Sequence, residues 1–464
     1  MQARATVMKF GGTSVEDWPA FERAARIVRS HNGARPLVVV VSAMSRVTDA
    51  LLEALRAAEG GETGLGQNLV ESHLGRHLRV AERLGAAARD GFGATVESAR
   101  REVAEMLGAV ASNGAPRARL RDSVASYGER LSAGLLAAVL EAHGLPAAHV
   151  DARRCVVTDA AHGQARPLIN ETWRRTRAEL GPLLAAGRIP VLGGFIAATT
   201  EGVTTTLGRG SSDYTATLVG AVLGAREIQI WTDVSGVLTA DPRLIEAART
   251  VPRLSYGEAA ELARFGAKVL HPKMIEPASE RGVPVRICNS RAPEEAGTLI
   301  CANSDATRGP IKAIACRTGV ATAEFPSAPG HAANGFLRAV REVSDRHQAT
   351  VHLVATAGDG LVLACEEAAA LPSVLRDLRL PGPAEVRSDR AIVCCVGEGL
   401  PHAPESRDAL RGIDSTLDWR STSGNNFVSI LGEDRVSTVV RRLHHALFEN
   451  HKPKTDPAPH EFGA

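Results

Sequence analysis

Thr6-Val7-Met8-Lys9-Phe10-Gly11-Gly12-Thr13-Ser14, then a helical pattern from about Pro19 to Ser30, then Leu37-Val38-Val39-Val40-Val41, decides the reading of the fold. Both apolar runs are short and the second is almost wholly β-branched, as strands are, while the amphipathic stretch between them supplies a crossover. A run of four valines has no polar alternation, so it fits a strand covered on both faces. Strand, helix and strand in this order predict an α/β unit built on a parallel sheet with helices on either side. Gly11 and Gly12 close the first strand. Lacking Cβ atoms, they let backbone amides approach an anion, and the helix start that follows adds partial positive charge. Lys9 then stands within reach of a phosphate. An ordinary tight turn would use the same residues, and the G-x-x-x-x-G-K-[ST] spacing does not occur here, so this stretch alone leaves both readings open.

Working outward, Thr48 to His143 is mainly helical, with Leu131, Leu135, Leu136, Val139 and Leu140 on one face ahead of a stop at Gly144. Strand and helix alternate again through Ile189 to Leu192, Tyr214 to Leu223 and Glu227 to Trp231, so a first domain is expected over 1–290. Residues 291–311, broken by Pro, Gly, Asn and Asp, read as a linker. Beyond it, short strands near Lys312 to Arg317, Thr350 to Thr356, Leu361 to Cys365, Ala391 to Val396, Asp418 to Ser421 and Phe427 to Leu431 alternate with short helices. That order suggests two small α+β modules, 312–386 and 387–450, and a tail over 451–464 expected to be disordered.

A chain of 464 residues has room for two to four domains. Its 44% hydrophobic and 23% charged composition is that of a globular protein, and a formal net charge of +2 offers no field to draw in nucleic acid or a membrane surface. The seven cysteines form no C-x-x-C pair and have no histidine cluster at metal spacing, which points to reduced thiols rather than disulfides or zinc. MQARATVMKFGG lacks the apolar core of a signal peptide, and no stretch approaches the ~20 apolar residues of a membrane helix, so a cytoplasmic location is expected.

Four further segments carry chemistry. Thr204-Thr205-Thr206-Leu207-Gly208-Arg209-Gly210-Ser211-Ser212-Asp213-Tyr214-Thr215 crowds hydroxyls, a guanidinium and an acid at a helix start, which suits an anionic ligand and equally a capping loop with Ser211, Ser212 or Asp213 as N-cap. Trp231-Thr232-Asp233-Val234-Ser235-Gly236-Val237-Leu238, then Asp241-Pro242-Arg243, leaves a strand at the end where open α/β sheets bind ligands. Phe265-Gly266-Ala267-Lys268-Val269-Leu270-His271-Pro272 sets a lysine in apolar surroundings, where it either snorkels to water or takes an anionic partner. Ser126-Tyr127-Gly128-Glu129-Arg130 opens the amphipathic stretch above, Glu129 serving either as a helix-start acid or as the holder of a substrate ammonium.

Taken in order and spacing, these five segments resemble the aspartate kinases, members of the amino-acid kinase fold family, and the closing stretch Asn425 to Glu449 is most similar to the lysine-sensitive, single-function branch. The resemblance implies an α/β/α sandwich followed by two ACT-like regulatory modules. It also implies transfer of phosphate from ATP, with Mg²⁺, to L-aspartate, giving 4-phospho-L-aspartate for lysine, threonine and methionine synthesis. On this resemblance Lys9, Gly11 and Gly12 would serve the transferring phosphate, and Thr48, Glu129, Arg209 and Ser212 the substrate. Thr232, Asp233, Leu238, Arg243, Lys268 and Val269 would line the nucleotide side, Asp213 would organise the phosphate-binding groups, and no residue is assigned to the metal. ACT-type modules imply pairing into a homodimer or homotetramer and an amino-acid effector.

The chemistry asked of such a site is modest. The acceptor carboxylate, with an ordinary pKa of roughly 4, is already ionised at neutral pH, so no general base is needed and positioning with charge neutralisation is what remains. Two departures stand out: Ser211 replaces a glycine usual in the resembled loop, and Leu238 stands where an aromatic is common. In the first module Thr356-Ala357-Gly358 replaces a Thr-Ser-Glu and His352 replaces an acid, which predicts weak or altered inhibition by lysine. The competing readings are a kinase of the same fold acting on another small acid or phosphate, and a silent ACT-containing regulatory subunit. The second would have lost Lys9, Arg209, Asp213 or Lys268, and all four are present.

Overall fold

The computed structural model describes residues 4–33, 35–112, 117–208, 210–267, 272–303, 310–326, 333–347, 349–355, 360–378 and 384–449. The chain divides into two compact units, Met1–Gly236 with His271–Ala302, and Val237–Leu270 with Asn303–Ala464.

The first unit opens with β1 (Thr6–Phe10), α1 (Trp18–His31) and β2 (Leu37–Val41). Asp17 starts α1 by accepting the amide of Ala20, with Pro19 in the first turn, and both strands are buried along their whole length. Four helices follow, α2 (Val47–Glu59), α3 (Thr63–Ala81), α4 (Ala86–Ala111) and α5 (Arg117–Ala142). Leu51, Leu74, Leu107, Leu135 and Leu136 of this helical layer pack with Met8, Phe10 and Val39 of the strands into one core. The chain continues through β3 (Ala147–Val150), α6 (Ile169–Ala185), β4 (Ile189–Gly193), the short hairpin β5 (Ile196–Ala198) and β6 (Thr204–Thr206), α7 (Ser211–Leu223) and β7 (Glu227–Thr232). After β8 (Arg253–Ser255) and α8 (Tyr256–Arg264), which belong to the second unit, come α9 (Pro272–Glu280), β9 (Val285–Asn289) and β10 (Thr298–Cys301).

Within the first unit the strands lie in the order β3-β4-β2-β1-β7-β9-β10, parallel except for β10. The register aligns their carboxyl ends, with Phe10 beside both Val41 and Trp231, Val41 beside Gly193, and Thr232 beside Asn289. The loops after β1, β2, β4, β7 and β9 therefore leave one edge of the sheet, and the chain winds outward from β1 in both directions, the place where open parallel sheets bind ligands.

The second unit carries β11 (Ala313–Pro326), α10 (Ala333–His347), β12 (Val351–Ala355), β13 (Gly360–Cys365), α11 (Leu371–Leu378), β14 (Glu385–Val396), α12 (Pro404–Ile413), β15 (Asn426–Gly432) and α13 (Val436–His444). The two α+β modules share one antiparallel sheet of order β12-β13-β11-β14-β15, because β11 is long enough to pair with β13 and β14 at once. The strand expected near Asp418 to Ser421 reduces to one bridge between Arg420 and Val428. The chain turns away there because Thr422 donates its amide to the side chain of Asn426 and Ser421 its hydroxyl to the carbonyl of Ser423. Segment 237–251 joins this unit's core through Ala240 and Ile245, which pack with Trp419, Phe427 and Leu443. All seven cysteines are unbridged. Among the described residues, no helix is long and apolar enough to cross a membrane.

Candidate active site

At the carboxyl edge of the first unit's sheet, Lys9 projects from β1 and forms an ion pair of 2.6 Å with Asp213 in the first turn of α7. Their side chains are 9% and 18% exposed, so the pair is sheltered yet open on one side. A cation this poorly hydrated needs an anion, and its resting partner is a single carboxylate.

Around this pair the loops pack closely, at some glycines more tightly than a side chain would permit. A Cβ on Gly11 would lie 3.5 Å from the Lys9 ammonium, and one on Gly12 would come within 3.0 Å of the Ala43 carbonyl oxygen. Ser45 donates its amide to the Gly12 carbonyl, fixing the loop after β2 against the loop after β1. Thr48 stands in the first turn of α2, and a Cβ on Gly128 would sit 3.4 Å from its hydroxyl oxygen. On the strand beyond, Gly193 abuts the Cβ of Glu129, and Gly194 abuts Ser212, where a Cβ would meet the Cα at 2.6 Å. Gly12 thus packs on Ala43 and Ser45, Gly128 on Ala43 and Thr48, Gly193 on Glu129, and Gly194 on Ser212, the chain neighbour of the Asp213 that pairs with Lys9.

Glu129 is buried, with its Oε2 lacking any hydrogen-bond partner among the described residues. Burial pushes its carboxyl up to about 8, against weaker opposing effects from the backbone amide of Ala43 and the nearby charge of Lys9. The structure corrects its expected setting. It lies well inside α5, which begins at Arg117, so the dipole of a helix start does not act on it. An orphaned buried carboxylate oxygen is suited to receive an ammonium donor.

Other sequence-predicted residues are placed as follows. The Gly11 amide is already donated to the Trp231 carbonyl at 3.1 Å, which removes it as an anion donor; Gly12 opens a short 3-10 turn, whose first amide has no partner within the turn. Ser211 opens α7 and Gly210, with φ of 72°, is its N-cap, so the expected Ser or Asp capping is not used. The Ser211 hydroxyl instead donates to the Gly208 carbonyl at 2.6 Å, bracing the turn that a glycine would leave loose. Thr232 and Asp233 lie at the end of β7, joined hydroxyl to carboxylate at 3.3 Å. Leu238 and Arg243 belong to the second unit, where Leu238 bridges Thr250 and the exposed Arg243 is held by Asp241. Arg209, Lys268 and Val269 lie outside the described residues, as does Thr356-Ala357-Gly358.

Three contributors were missed by sequence reasoning. Gly193-Gly194 repeats the apolar-strand-then-Gly-Gly pattern of Gly11-Gly12, a signal that was available. Asp122, buried on α5, accepts from the Thr206 hydroxyl at 2.6 Å, the His162 ring at 2.8 Å and the Gly163 amide at 3.1 Å, and so ties the helix of Glu129 to the strand leading into Asp213. Arg76 donates to the carbonyls of Ser45 and Glu16, clamping the loops after β1 and β2 from outside.

Residues 4–289 match the Amino acid kinase family. Over 457 residues the chain is 32% identical to the lysine-sensitive aspartokinase 3 of Escherichia coli (strain K12), spanning 96% of this chain and 99% of that protein. It is 31% identical over 448 residues to an aspartokinase of Chlamydia muridarum, covering 95% of each. Among solved structures, E. coli aspartokinase III in complex with aspartate and ADP (R-state) superposes with a TM-score of 0.81 at 31% identity over 96% of this chain and 100% of that one. The same enzyme in complex with lysine and aspartate (T-state) gives 0.77 at 31% identity, over 96% and 99%.

Proposed function

This chain belongs to the aspartokinases of the amino acid kinase family, and from that premise we propose how its residues transfer the terminal phosphoryl group of ATP to the side-chain carboxylate of L-aspartate, releasing ADP. The observation that carries the reading is the sheltered Lys9–Asp213 pair together with the buried, unpartnered carboxyl oxygen of Glu129, close enough to Lys9 to feel its charge. Lys9 neutralises the phosphoryl group in flight, and Asp213 holds that ammonium in place until nucleotide arrives. Glu129 takes the α-ammonium of aspartate, Thr48 and Ser212 its carboxylate edges, and Arg209 its α-carboxylate. The acceptor carboxylate attacks unaided, since it is ionised at neutral pH. On the nucleotide side stand Gly12, Thr232, Asp233, Leu238, Arg243, Lys268 and Val269.

The nucleotide would bring Mg²⁺ to the site. The ion would be held chiefly through nucleotide phosphates and waters, and no residue of this chain is assigned to it. When bound, it screens charge between the phosphates. We further read 1–290 as the catalytic domain, 291–311 as the linker, 312–386 and 387–450 as regulatory modules that take an amino-acid effector, and the assembly as a cytoplasmic homodimer or homotetramer.

The test is acyl phosphate formation, trapped with hydroxylamine, from Mg·ATP and a panel of aspartate, glutamate, N-acetylglutamate and UMP. Turnover confined to aspartate is expected. Preference for N-acetylglutamate, which has no free ammonium, would overturn the role of Glu129, and no turnover on any acceptor would favour the silent subunit.

A further inference from the structure

Gly193, the last residue of β4, and Gly194 lead straight into a strained bend. Phe195 has φ of 63°, in the left-handed region that residues with a Cβ rarely enter, and Ile196 donates its amide to the Gly194 carbonyl at 2.6 Å. A three-residue bend closed in this way around a positive φ is the rare and strained form of γ-turn. Among the described residues three non-glycines take positive φ: Arg46, Phe195 and Asp389. Two of these lie in loops at the carboxyl edge of the first unit's sheet. Arg46 stands two residues before Thr48, and Phe195 follows the Gly194 that packs on Ser212. Strain of this kind persists only where its surroundings hold it, and it gathers where a site needs a fixed geometry.

The side chain that holds the Phe195 bend is Thr215. Its hydroxyl, fully buried on α7, accepts the Phe195 amide at 3.1 Å and donates to the Ser211 carbonyl, one turn back, at 2.9 Å. A threonine inside a helix is satisfied by that carbonyl alone, so the bond from Phe195 is an addition that serves the loop. Backbone partners complete the grip, with the Leu207 amide on the Phe195 carbonyl at 3.0 Å and the Gly194 amide on the Val41 carbonyl at 2.9 Å. The bend in turn presses on two neighbours. A Cβ on Gly193 would stand 2.9 Å from the Cβ of Glu129, and one on Gly194 would stand 2.6 Å from the Cα of Ser212. Glu129 on α5 and Ser212 on α7 therefore meet the same pair of glycines. Nothing in the proposed phosphoryl transfer uses Thr215.

We propose that Thr215 is a positioning residue: by holding the Phe195 bend it fixes Gly193 and Gly194 against Glu129 and Ser212, and so sets the aspartate side of the site. The inference rests on the reading of Glu129 and Ser212 as substrate groups. Without the hydroxyl, the Phe195 amide loses its acceptor and the positive φ loses its support. The bend then relaxes and the two substrate groups lose their common spacer, while the Lys9–Asp213 pair, made by other side chains, stays in place.

The experiment uses the full chain with Thr215→Val, Thr215→Ser, Phe195→Gly, the double variant Thr215→Val/Phe195→Gly, Glu129→Gln and Ser212→Ala. It measures kcat, the KM for aspartate and for ATP, and thermal stability. Thr215→Val, which keeps the shape and removes the hydroxyl, should raise the KM for aspartate about three- to tenfold, the worth of one hydrogen bond, with the KM for ATP unchanged. Thr215→Ser, which keeps the hydroxyl, should stay within about twofold of the parent. A glycine at 195 takes positive φ without support, so adding Thr215→Val to Phe195→Gly should move the KM for aspartate less than about twofold. The proposal is overturned by a parental KM for aspartate in Thr215→Val, by equal rises for both substrates that follow a lowered melting temperature, or by the same Thr215→Val effect in the glycine background. Should Thr215→Val not fold, Thr215→Ala is read against the same outcomes. A raised KM for aspartate in Glu129→Gln and Ser212→Ala beside a parental one in Thr215→Val sinks the positioning role alone. Parental aspartate kinetics in both Glu129→Gln and Ser212→Ala sink the reading of those two groups, and the positioning role with it.

Discussion

Replacing Lys9 by Met keeps most of the stem and removes the ammonium, and the structure lets two consequences be separated. At 2.6 Å from Asp213, the pair's attraction is about 6 kcal/mol at an effective dielectric of roughly 20, much of it offset by desolvation. Breaking one side leaves a sheltered carboxylate unpaired, which typically destabilises by about 3–5 kcal/mol. The catalytic loss has a different origin, since removing one group that stabilises developing charge lowers kcat about 10²–10³-fold, or roughly 2.7–4 kcal/mol. The double variant Lys9→Met/Asp213→Asn divides them, because it removes both charges. Its melting temperature should recover most of the single variant's loss, while kcat, read by hydroxylamine trapping, stays as low as in Lys9→Met. If Lys9→Met keeps kcat within about fivefold of the parent, or if the double variant regains activity along with stability, Lys9 is a structural cation and the assignment fails.

The remaining predictions concern Glu129, Gly194 and the effector. With its carboxyl pushed up to about 8 by burial, Glu129 binds a proton in the folded state that the unfolded chain releases near its ordinary range, so the free protein should lose stability as pH rises from about 4.5 through 8. Glu129→Gln should flatten that slope in thermal melts. Because an ammonium ligand favours the ionised form, kcat/KM for aspartate should climb toward a plateau above pH 8 in the parent, and a slope surviving in Glu129→Gln would exclude Glu129 as its source. Gly194→Ala places a Cβ at 2.6 Å from Ser212 backbone, so α7 must shift, at about 1–3 kcal/mol of stability; denaturant melts that match the parent would refute the close approach. Low-millimolar lysine should inhibit only partly, and near-complete inhibition in an initial-rate assay would show that Thr356-Ala357-Gly358 still completes a lysine site.

What could be read in the sequence was whatever depends on near neighbours. The valine run of β2, the Gly-Gly turn after β1 and the hydroxyl-rich turn into α7 each declare themselves within a dozen residues, but only the resemblance to aspartate kinases put Lys9 and Asp213 together, and the fold pairs them at 2.6 Å. Reading failed where the partner is remote. Arg76 reaches carbonyls 31 and 60 positions away, and carbonyls carry no side-chain signature. The Gly11 amide was misread because its acceptor, Trp231, becomes adjacent only when β1 and β7 pair. Glu129 was put at a helix start because the amphipathic pattern strengthens there, although α5 begins at Arg117. Periodicity marks where a helix meets the core rather than where it begins.

Asp122 bears on how the molecule reaches its native state. Its one carboxylate collects a ring nitrogen and an amide 40 and 41 positions along the chain and a hydroxyl 84 positions along. None of these donors has much reason to stop there without the others, because closing such long loops is entropically expensive and a half-occupied buried acid is a poor reward. The corner where α5, the 159–166 loop and β6 meet should therefore assemble late and as a block, and unfolding that starts at this corner would release α5 and α7 together.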